Sequence, residues 1–259
     1  MPRWRFGSLL APIIGFAGVV AAWELIVRVF GVSPLILPAP SRIAVELYAL
    51  SDRMAMHAAV TVTEAFCGLM IGASSAVTMA VLMTLLPIVR RTIFPLLVAS
   101  QVVPSVVFAP ILLVWFGYGM ISKILIAAII CFFPIVVNTA HGLTAVQPEL
   151  LELAGSVGAN NIRVFRRIRL PNAMPYFVTS LKPATTLAMI GAVVGEFIGG
   201  SAGLGSLIVL YIRFLNMPAM FATVVVLVIV GIGLYAVIEA IGLSSIGWYR
   251  KSLRMEKTA

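Results

Sequence analysis

The sequence predicts an all-α, polytopic membrane protein with about six transmembrane helices. Hydrophobic residues make up 61% of its 259 residues and charged residues only 10%, whereas soluble domains are about 45 to 50% apolar. Mean hydropathy is +1.11. Long runs lack Asp, Glu, Lys and Arg, among them 65–89, 92–122 and 124–147. A backbone in lipid must satisfy its own hydrogen bonds and a barrel needs short alternating strands, so these runs predict helices.

The first helix is predicted near 9–29. Arg3 and Arg5 precede an apolar run, as in a secretory signal. That run continues to Phe30, however, and Glu24 and Arg28 are spaced to pair along one helix face. We therefore expect an uncleaved membrane helix.

Five more helices are predicted near 60–86, 93–115, 121–141, 176–198 and 218–243. Proline and glycine clusters separate the runs, as at 31–40 and 199–205. Lys182 lies inside the fifth helix, and we expect its stem to reach the interface from a nearby helix end. The chain has room for about five to seven spans of about 20 residues, so residues 1–259 are predicted to form one transmembrane domain.

Two ladders of small residues mark helix faces that can approach closely. Gly68, Gly72, Ala76 and Ala80 recur every fourth residue in the second helix, and glycines 191, 195 and 199 do so in the fifth. Such faces pack either within one bundle or between two subunits.

Positive charges set the orientation. With the N-terminus inside, twelve of the eighteen lysines and arginines fall in cytoplasmic segments, while Arg28, Arg42, Arg53, Lys123 and Arg213 lie outside. This asymmetry predicts that both termini are cytoplasmic. The net charge of +9 is scattered over four loops and does not form one basic surface, so we expect membrane lipid and no nucleic acid as a partner.

The cytoplasmic segment 145–175 is unusually polar for this chain. Pro148 suits the first position of a short helix, Glu149 and Glu152 place negative charge in its first turns, and Gly158 suits its C-terminal end. Asn160 or Asn161 can cap a second helix, which Pro171 is expected to end. In that helix Val164, Phe165 and Ile168 are expected to pack inward, and the arginines at 163, 166, 167 and 169 to face the cytoplasm or lipid headgroups.

This segment is either an ordinary amphipathic surface helix or a handle for another protein. Its small residues would let a partner groove close around the backbone, and Glu152 offers a carboxylate. The residues assigned to the handle are Glu152, Ala154, Gly155, Gly158, Ala159, Ile168, Leu170 and Pro171.

The spacing within the handle resembles the EAA loop of ATP-binding-cassette (ABC) importer permeases. That pattern reads Glu-Ala-Ala, three residues, Gly, nine residues, Ile, one residue and Leu-Pro, and this chain departs from it only at Leu153. The segments 33–41, 104–119 and 195–205 are also similar to permeases of the nitrate, sulfonate and taurine branch. The resemblance implies the type I importer permease fold, which is called MetI-like.

The same resemblance implies an assembly in the bacterial inner membrane. A homodimer of six-helix permeases would stand on two ATPase subunits and receive a small solute from a substrate-binding protein. The solutes of that branch are nitrate, sulfonates, taurine and pyrimidine-like molecules. Within the chain, 145–175 would be the EAA coupling loop.

ATP hydrolysis is expected on the separate ATPase subunits and not on this chain. A phosphate-binding loop needs Gly-Lys, a dipeptide this sequence lacks, so ATP and Mg²⁺ are expected on the ATPase and no cofactor on this chain. Cys67 and Cys131 have no second metal ligand nearby in sequence. His57 and His141 are interpreted as structural, and no enzyme activity is expected.

The translocation path is assigned to polar or flexible residues inside apolar spans, namely Ser100, Gln101, Ser105, Thr185, Thr186 and Met189. Glu196, beside Gly195, is expected either to line or gate that path or to pair with Arg213. The alternative function is a gradient-driven secondary transporter or channel. Such proteins carry ionisable residues at membrane depth, whereas the acids here, Glu24, Glu64, Glu196 and Glu239, fall near predicted helix ends.

The charge asymmetry predicts the outcome of reporter fusions. Fusions between Pro87 and Phe94, at Gly158 and after Arg254 should report cytoplasm, whereas fusions at Ser51 and Ser201 should report the outside. Paired phosphatase and fluorescent-protein reporters measure this. An external signal at Gly158 would contradict both the topology and the docking handle.

Overall fold

The computed structural model describes the backbone of residues 7–245 and, within it, the side chains of 11–104 and 106–242. This part contains eleven α-helices, a 3₁₀ turn at Ser105–Val107, a π turn at Phe165–Arg169 and no strand. The helices are α1 (Gly7–Val29), α2 (Pro40–Ala49), α3 (Ser51–Leu85), α4 (Pro87–Ser100), α5 (Phe108–Phe116), α6 (Met120–Thr144), α7 (Pro148–Ser156), α8 (Asn161–Val164), α9 (Leu170–Gly199), α10 (Leu204–Arg213) and α11 (Met217–Ser245).

The core of the bundle is α6, packed between α3 and α9. A methyl group added to Gly68 would lie 2.5 Å from the Cβ of Ala127, and one added to Gly191 would lie 2.6 Å from the Cα of the same alanine. A methyl group added to Gly72 would lie 2.5 Å from the Cys131 sulfur. The glycines of both ladders that touch α6 therefore pack within one chain.

The contacts along α6 fix the directions of the three helices. On α3, Gly68 faces Ala127 and Gly72 faces Cys131, so α3 and α6 run parallel. On α9, Gly195 faces Lys123, whereas Tyr176 faces Gly142 near the other end of α6, so these two helices are antiparallel. Because α3 and α6 point the same way, the chain between them must return across the membrane.

The segment between α3 and α6 is not one helix, so the prediction of a continuous helix over 93–115 is wrong. The chain forms α4, the 3₁₀ turn and α5 instead. Pro104 lacks an amide hydrogen and disfavours helical geometry at the residue before it, so α4 stops at Ser100. Five helices in the described part are long and apolar enough to span a membrane by themselves. The broken segment makes the sixth crossing.

Both ends of the bundle can be assigned from side-chain contacts. Trp23 of α1 packs on Phe221 at the start of α11, and Met54 shares a cluster with Tyr211. Near the end of α11, a methyl added to Gly242 would lie 2.6 Å from the Val178 side chain in the first half of α9. The polar segment that contains α7 thus lies at the end of the bundle opposite the loops before α3 and before α11.

Two short helices were not predicted. Pro40 sits in the first turn of α2, where its missing amide hydrogen costs nothing. The start of α10 follows Gly203, whose φ is +106°. Two predicted helices are longer than expected, since 60–86 begins at Ser51 and 176–198 begins at Leu170. Lys182 therefore lies well inside α9, and its expected place near a helix end is wrong.

The direct contact of α6 with α9 predicts a strong size limit at Gly191. Gly191→Val should destabilise the protein by about 1 to 3 kcal/mol or more, because the new side chain meets backbone that cannot move aside. Thermal unfolding in detergent measures this.

Gly233→Val in α11 is the matched control, since a methyl there meets nothing within 4 Å. Both variants replace a helical glycine by the same residue. Equal unfolding temperatures for the two would contradict the packing described here.

Candidate functional site

The polar segment begins with α7, whose ends have the predicted geometry. Pro148 occupies the first turn, and Gly158 follows the helix with a φ of +69°. Gly158 N donates to Gly155 O at 3.0 Å, and Ala159 N donates to Ala154 O at 2.9 Å. This pair of bonds is the Schellman arrangement, which requires a left-handed residue and so favours glycine at 158.

The exposed surface of α7 includes positions with little or no side chain and also large apolar side chains. The Glu152 side chain is exposed, and a methyl added at Gly155 or Gly158 would meet nothing within 4 Å. Leu153 and Val157 are 62% and 72% exposed. Ala154 is buried against its own chain and Ala159 is half-buried. The exposed apolar side chains, the exposed carboxylates of Glu149 and Glu152 and the bare backbone suit insertion into a groove of another protein.

The second half of the polar segment does not form a separate helix. It runs without a break through α8 and the π turn into α9. Asn160 caps it by accepting from Arg163 N at 2.9 Å. The expectation that Pro171 ends this helix is wrong, because Pro171 lies in the first turn of α9. The π turn directly before it, in which Leu170 N donates to Phe165 O, widens the backbone where the proline ring would meet the preceding turn.

Two side chains tie this helix to the end of α6. Asn172 Nδ2 donates to Gly142 O at 2.8 Å and Ala145 O at 3.1 Å, and Arg169 Nη1 donates to Leu143 O at 3.2 Å. Arg169 thus turns towards the carbonyl end of α6 and not to the surface, while the arginines at 163, 166 and 167 are exposed. Phe165 packs against the core, and Val164 and Ile168 are half-buried. These bonds anchor the second half of the polar segment to the end of α6.

At the opposite end of the bundle, three charged side chains are buried together. Lys123 of α6 lies with its Nζ 3.2 Å from Glu64 Oε1 of α3, and their side chains are 4% and 0% exposed. Glu196 of α9 is 1% exposed and close enough to Glu64 to interact electrostatically. We call Glu64, Lys123 and Glu196 the outer triad.

The outer triad holds the turn between α9 and α10. Glu196 accepts from Thr61 Oγ1 at 2.7 Å and from Gly205 N at 2.5 Å, and Lys123 Nζ donates to Ala202 O at 3.3 Å. A methyl added to Gly203 would lie 2.0 Å from Glu196 Oε1. The turn is therefore folded around the Glu196 carboxylate.

Thr61 and His57 extend this network along α3. Leu204 N donates to Thr61 Oγ1 at 2.8 Å, and Gly203 N donates to His57 Nδ1 at 3.0 Å. The expected pairing of Glu196 with Arg213 is wrong, since the carboxylate is held by Thr61 and Gly205 and Arg213 is exposed.

Glu64 and Lys123 were not identified from sequence, although the small-residue ladders contain the signal. Glu64 precedes Gly68 by one helical turn, and Lys123 precedes Ala127 by one turn. Gly68 packs on Ala127 and the two helices run parallel, so Glu64 and Lys123, each one turn earlier in its helix, lie next to each other. Glu64 also lies deeper than expected, since α3 begins nine residues before the predicted start.

The described residues assigned to the path differ in exposure. Ser100 and Gln101 are exposed at the break after α4, Thr186 is exposed on α9, and the Ser105 side chain lies outside the described part. Thr185 and Met189 are buried, and the Thr185 hydroxyl donates to Leu181 O at 2.8 Å.

A further ion pair links α9 to α11. Lys182 donates to Glu239, and both side chains are about one-third exposed. Together with the outer triad, this pair shows that ionisable residues do lie inside the spanning helices. Gradient-driven transporters also carry ionisable residues at membrane depth, so the positions of these residues do not separate such a transporter from an importer permease.

Residues 68–244 match the model of a family described as the binding-protein-dependent transport system inner membrane component. The chain is 34% identical to the formylaminopyrimidine transport permease protein ThiX of Halalkalibacterium halodurans, over 95% of this chain and 99% of that one. It is 32% identical to the riboflavin transport system permease protein RibX of Chloroflexus aurantiacus, over 91% and 88%. Identity to the taurine transport system permease protein TauC of Escherichia coli is 26%, over 88% and 86%.

The outer triad predicts that its lysine cannot be removed alone. Lys123→Met should destabilise the protein by about 3 to 5 kcal/mol, because it leaves two buried carboxylates without a cation. Adding Glu64→Gln should recover part of that loss. Thermal unfolding of the single, double and Arg91→Met control proteins measures both effects. A Lys123→Met protein as stable as the exposed-site control would show that the triad is not buried as described.

Proposed function

Since the chain belongs to the family of binding-protein-dependent transport system inner membrane components and is the permease subunit of an ATP-driven importer, we propose that 148–171 is the site where its ATPase docks. The observation that carries this proposal is the geometry of α7, an exposed helix that ends at a left-handed glycine and is followed by a helix bonded to the end of α6. Docking residues are Glu152, Ala154, Gly155, Gly158, Ala159, Ile168, Leu170 and Pro171.

These residues divide into two roles. Glu152, Gly155 and Gly158 form the exposed face, which takes the partner. Ala154 is buried and Ile168 is half-buried, so they shape and support that face from behind. Pro171 sits beside the π turn, where the docking segment becomes α9.

The connections suggest how movement is transmitted. Closure of the ATPase pair on ATP pushes α7, and the bonds of Arg169 and Asn172 pass that push to the end of α6. Since α3, α6 and α9 touch through small side chains, they move as one close-packed body. Binding of ATP on one side thereby shifts the population of outward-open and inward-open states on the other.

The assembly consists of two copies of this chain, two ATPase subunits and a substrate-binding protein. ATP and Mg²⁺ bind to the ATPase, and this chain carries no cofactor and catalyses no reaction itself. Both termini lie in the cytoplasm of a bacterial cell, with α7. The path forms between the two permease copies, where exposed Ser100, Gln101 and Thr186 become facing surfaces.

The solute is a small polar molecule of the pyrimidine-like class. Support comes from the permease for formylaminopyrimidine, which is 34% identical over nearly the whole of both chains, against 26% for the taurine permease. Calorimetry on the substrate-binding protein that delivers solute to this permease, with pyrimidines and sulfonates as competitors, tests the assignment. Binding of sulfonates alone would contradict it.

The docking proposal predicts graded effects along α7. Gly158→Asp should assemble in the membrane but lose its ATPase on purification and its uptake, because the residue must adopt a left-handed backbone at about 1 to 2 kcal/mol and places bulk on the docking face. Glu152→Ala should be intermediate, since it removes one charge-assisted contact of about 1.5 to 3 kcal/mol. ATPase retention and ATP-driven uptake in liposomes measure both.

Gly155→Leu separates docking from folding. This position is helical and open, so the chain itself tolerates a large side chain, and only a closely docked partner would reject it. Full ATPase retention by both Gly155→Leu and Gly158→Asp would show that α7 is not the docking site.

A further inference from the structure

An apolar groove runs along the flank of the bundle in the half that carries α7. Its volume is about 590 Å³. α6 forms its floor, with Thr139 and Leu143, and its walls come from α3 and α9. Wall residues include Val77, Val81, Met174 and Phe177.

The groove has the length of a lipid tail. On α9 it extends from Leu170 to Leu181, which at about 1.5 Å per residue is roughly 17 Å. The hydrocarbon core of a bilayer is about 30 Å thick, so the groove corresponds to about one leaflet.

Positive charge lies at the end of the groove. Arg163, Arg166 and Arg167 are exposed and line a cleft of about 470 Å³ together with Asn160 and Ile162. Arg166 and Arg167 precede Leu170, a residue of the groove wall, by four and three residues in the same continuous stretch of helix. The described side chains that line this cleft include no carboxylate.

We propose that an anionic phospholipid occupies this groove. One acyl chain lies between α3 and α9, and the headgroup phosphate binds Arg166 and Arg167. Arginine clusters at a membrane surface attract anionic headgroups in this way. A helix of a second copy would fill the apolar part but would leave these arginines without an anion.

Native mass spectrometry of the full-length protein, equilibrated with equal amounts of phosphatidylglycerol and phosphatidylcholine, tests the proposal. Wild type should retain phosphatidylglycerol roughly tenfold better, a preference that Arg166→Gln with Arg167→Gln abolishes. Val77→Trp with Met174→Trp should reduce retention of both lipids.

Arg90→Gln with Arg91→Gln is the matched control. It removes the same charge from exposed residues near the start of α4, so it should keep the lipid preference. Equal retention of the two lipids by wild type, or an equal loss in this control, would overturn the proposal. So would arginine variants that lose only the ATPase, or tryptophan variants that lose only the second permease copy.

Discussion

The structure depends on the close approach of three helix backbones. Ala127 of α6 lies between Gly68 of α3 and Gly191 of α9, and neither glycine position has space for a methyl group. In a membrane the lipid tails are as apolar as leucine, so helices associate through close packing and not through exclusion of water. Small residues at these contacts set the distances and registers of the helices, and the register decides which other side chains meet.

The outer triad is the first consequence of that register. Glu64, Lys123 and Glu196 come from the three core helices and meet where those helices touch. Buried charges need partners, and here Lys123 pairs with Glu64, while Lys123 and Glu196 also hold the turn that leads into α10. At the other end of α6 the bonds of Asn172 and Arg169 attach the segment that contains α7. Both ends of one close-packed body are thus fixed to a loop.

Local signals in the sequence predicted much of the architecture. The start of α7 at Pro148, the left-handed Gly158 and the Asn160 cap each follow from one residue's own chemistry. The predictions that were wrong concerned features that depend on contacts with other parts of the chain. Pro104 was expected inside one continuous helix and Pro171 at the end of another, yet the chain breaks near the first and passes the second through a π turn. Glu64 and Lys123 required knowing which helices pack together, which no single helix reveals.

The central claim is that α3, α6 and α9 move as one body when ATP drives the cycle. Pulsed electron–electron resonance between spin labels on the exposed Ile71 of α3 and Ile190 of α9, in one chain of the full transporter, tests it most directly. That distance should stay the same with and without ATP, while the distance between labels on the two copies of Val157 changes. A shift between Ile71 and Ile190 comparable to the shift between the Val157 labels would contradict the account.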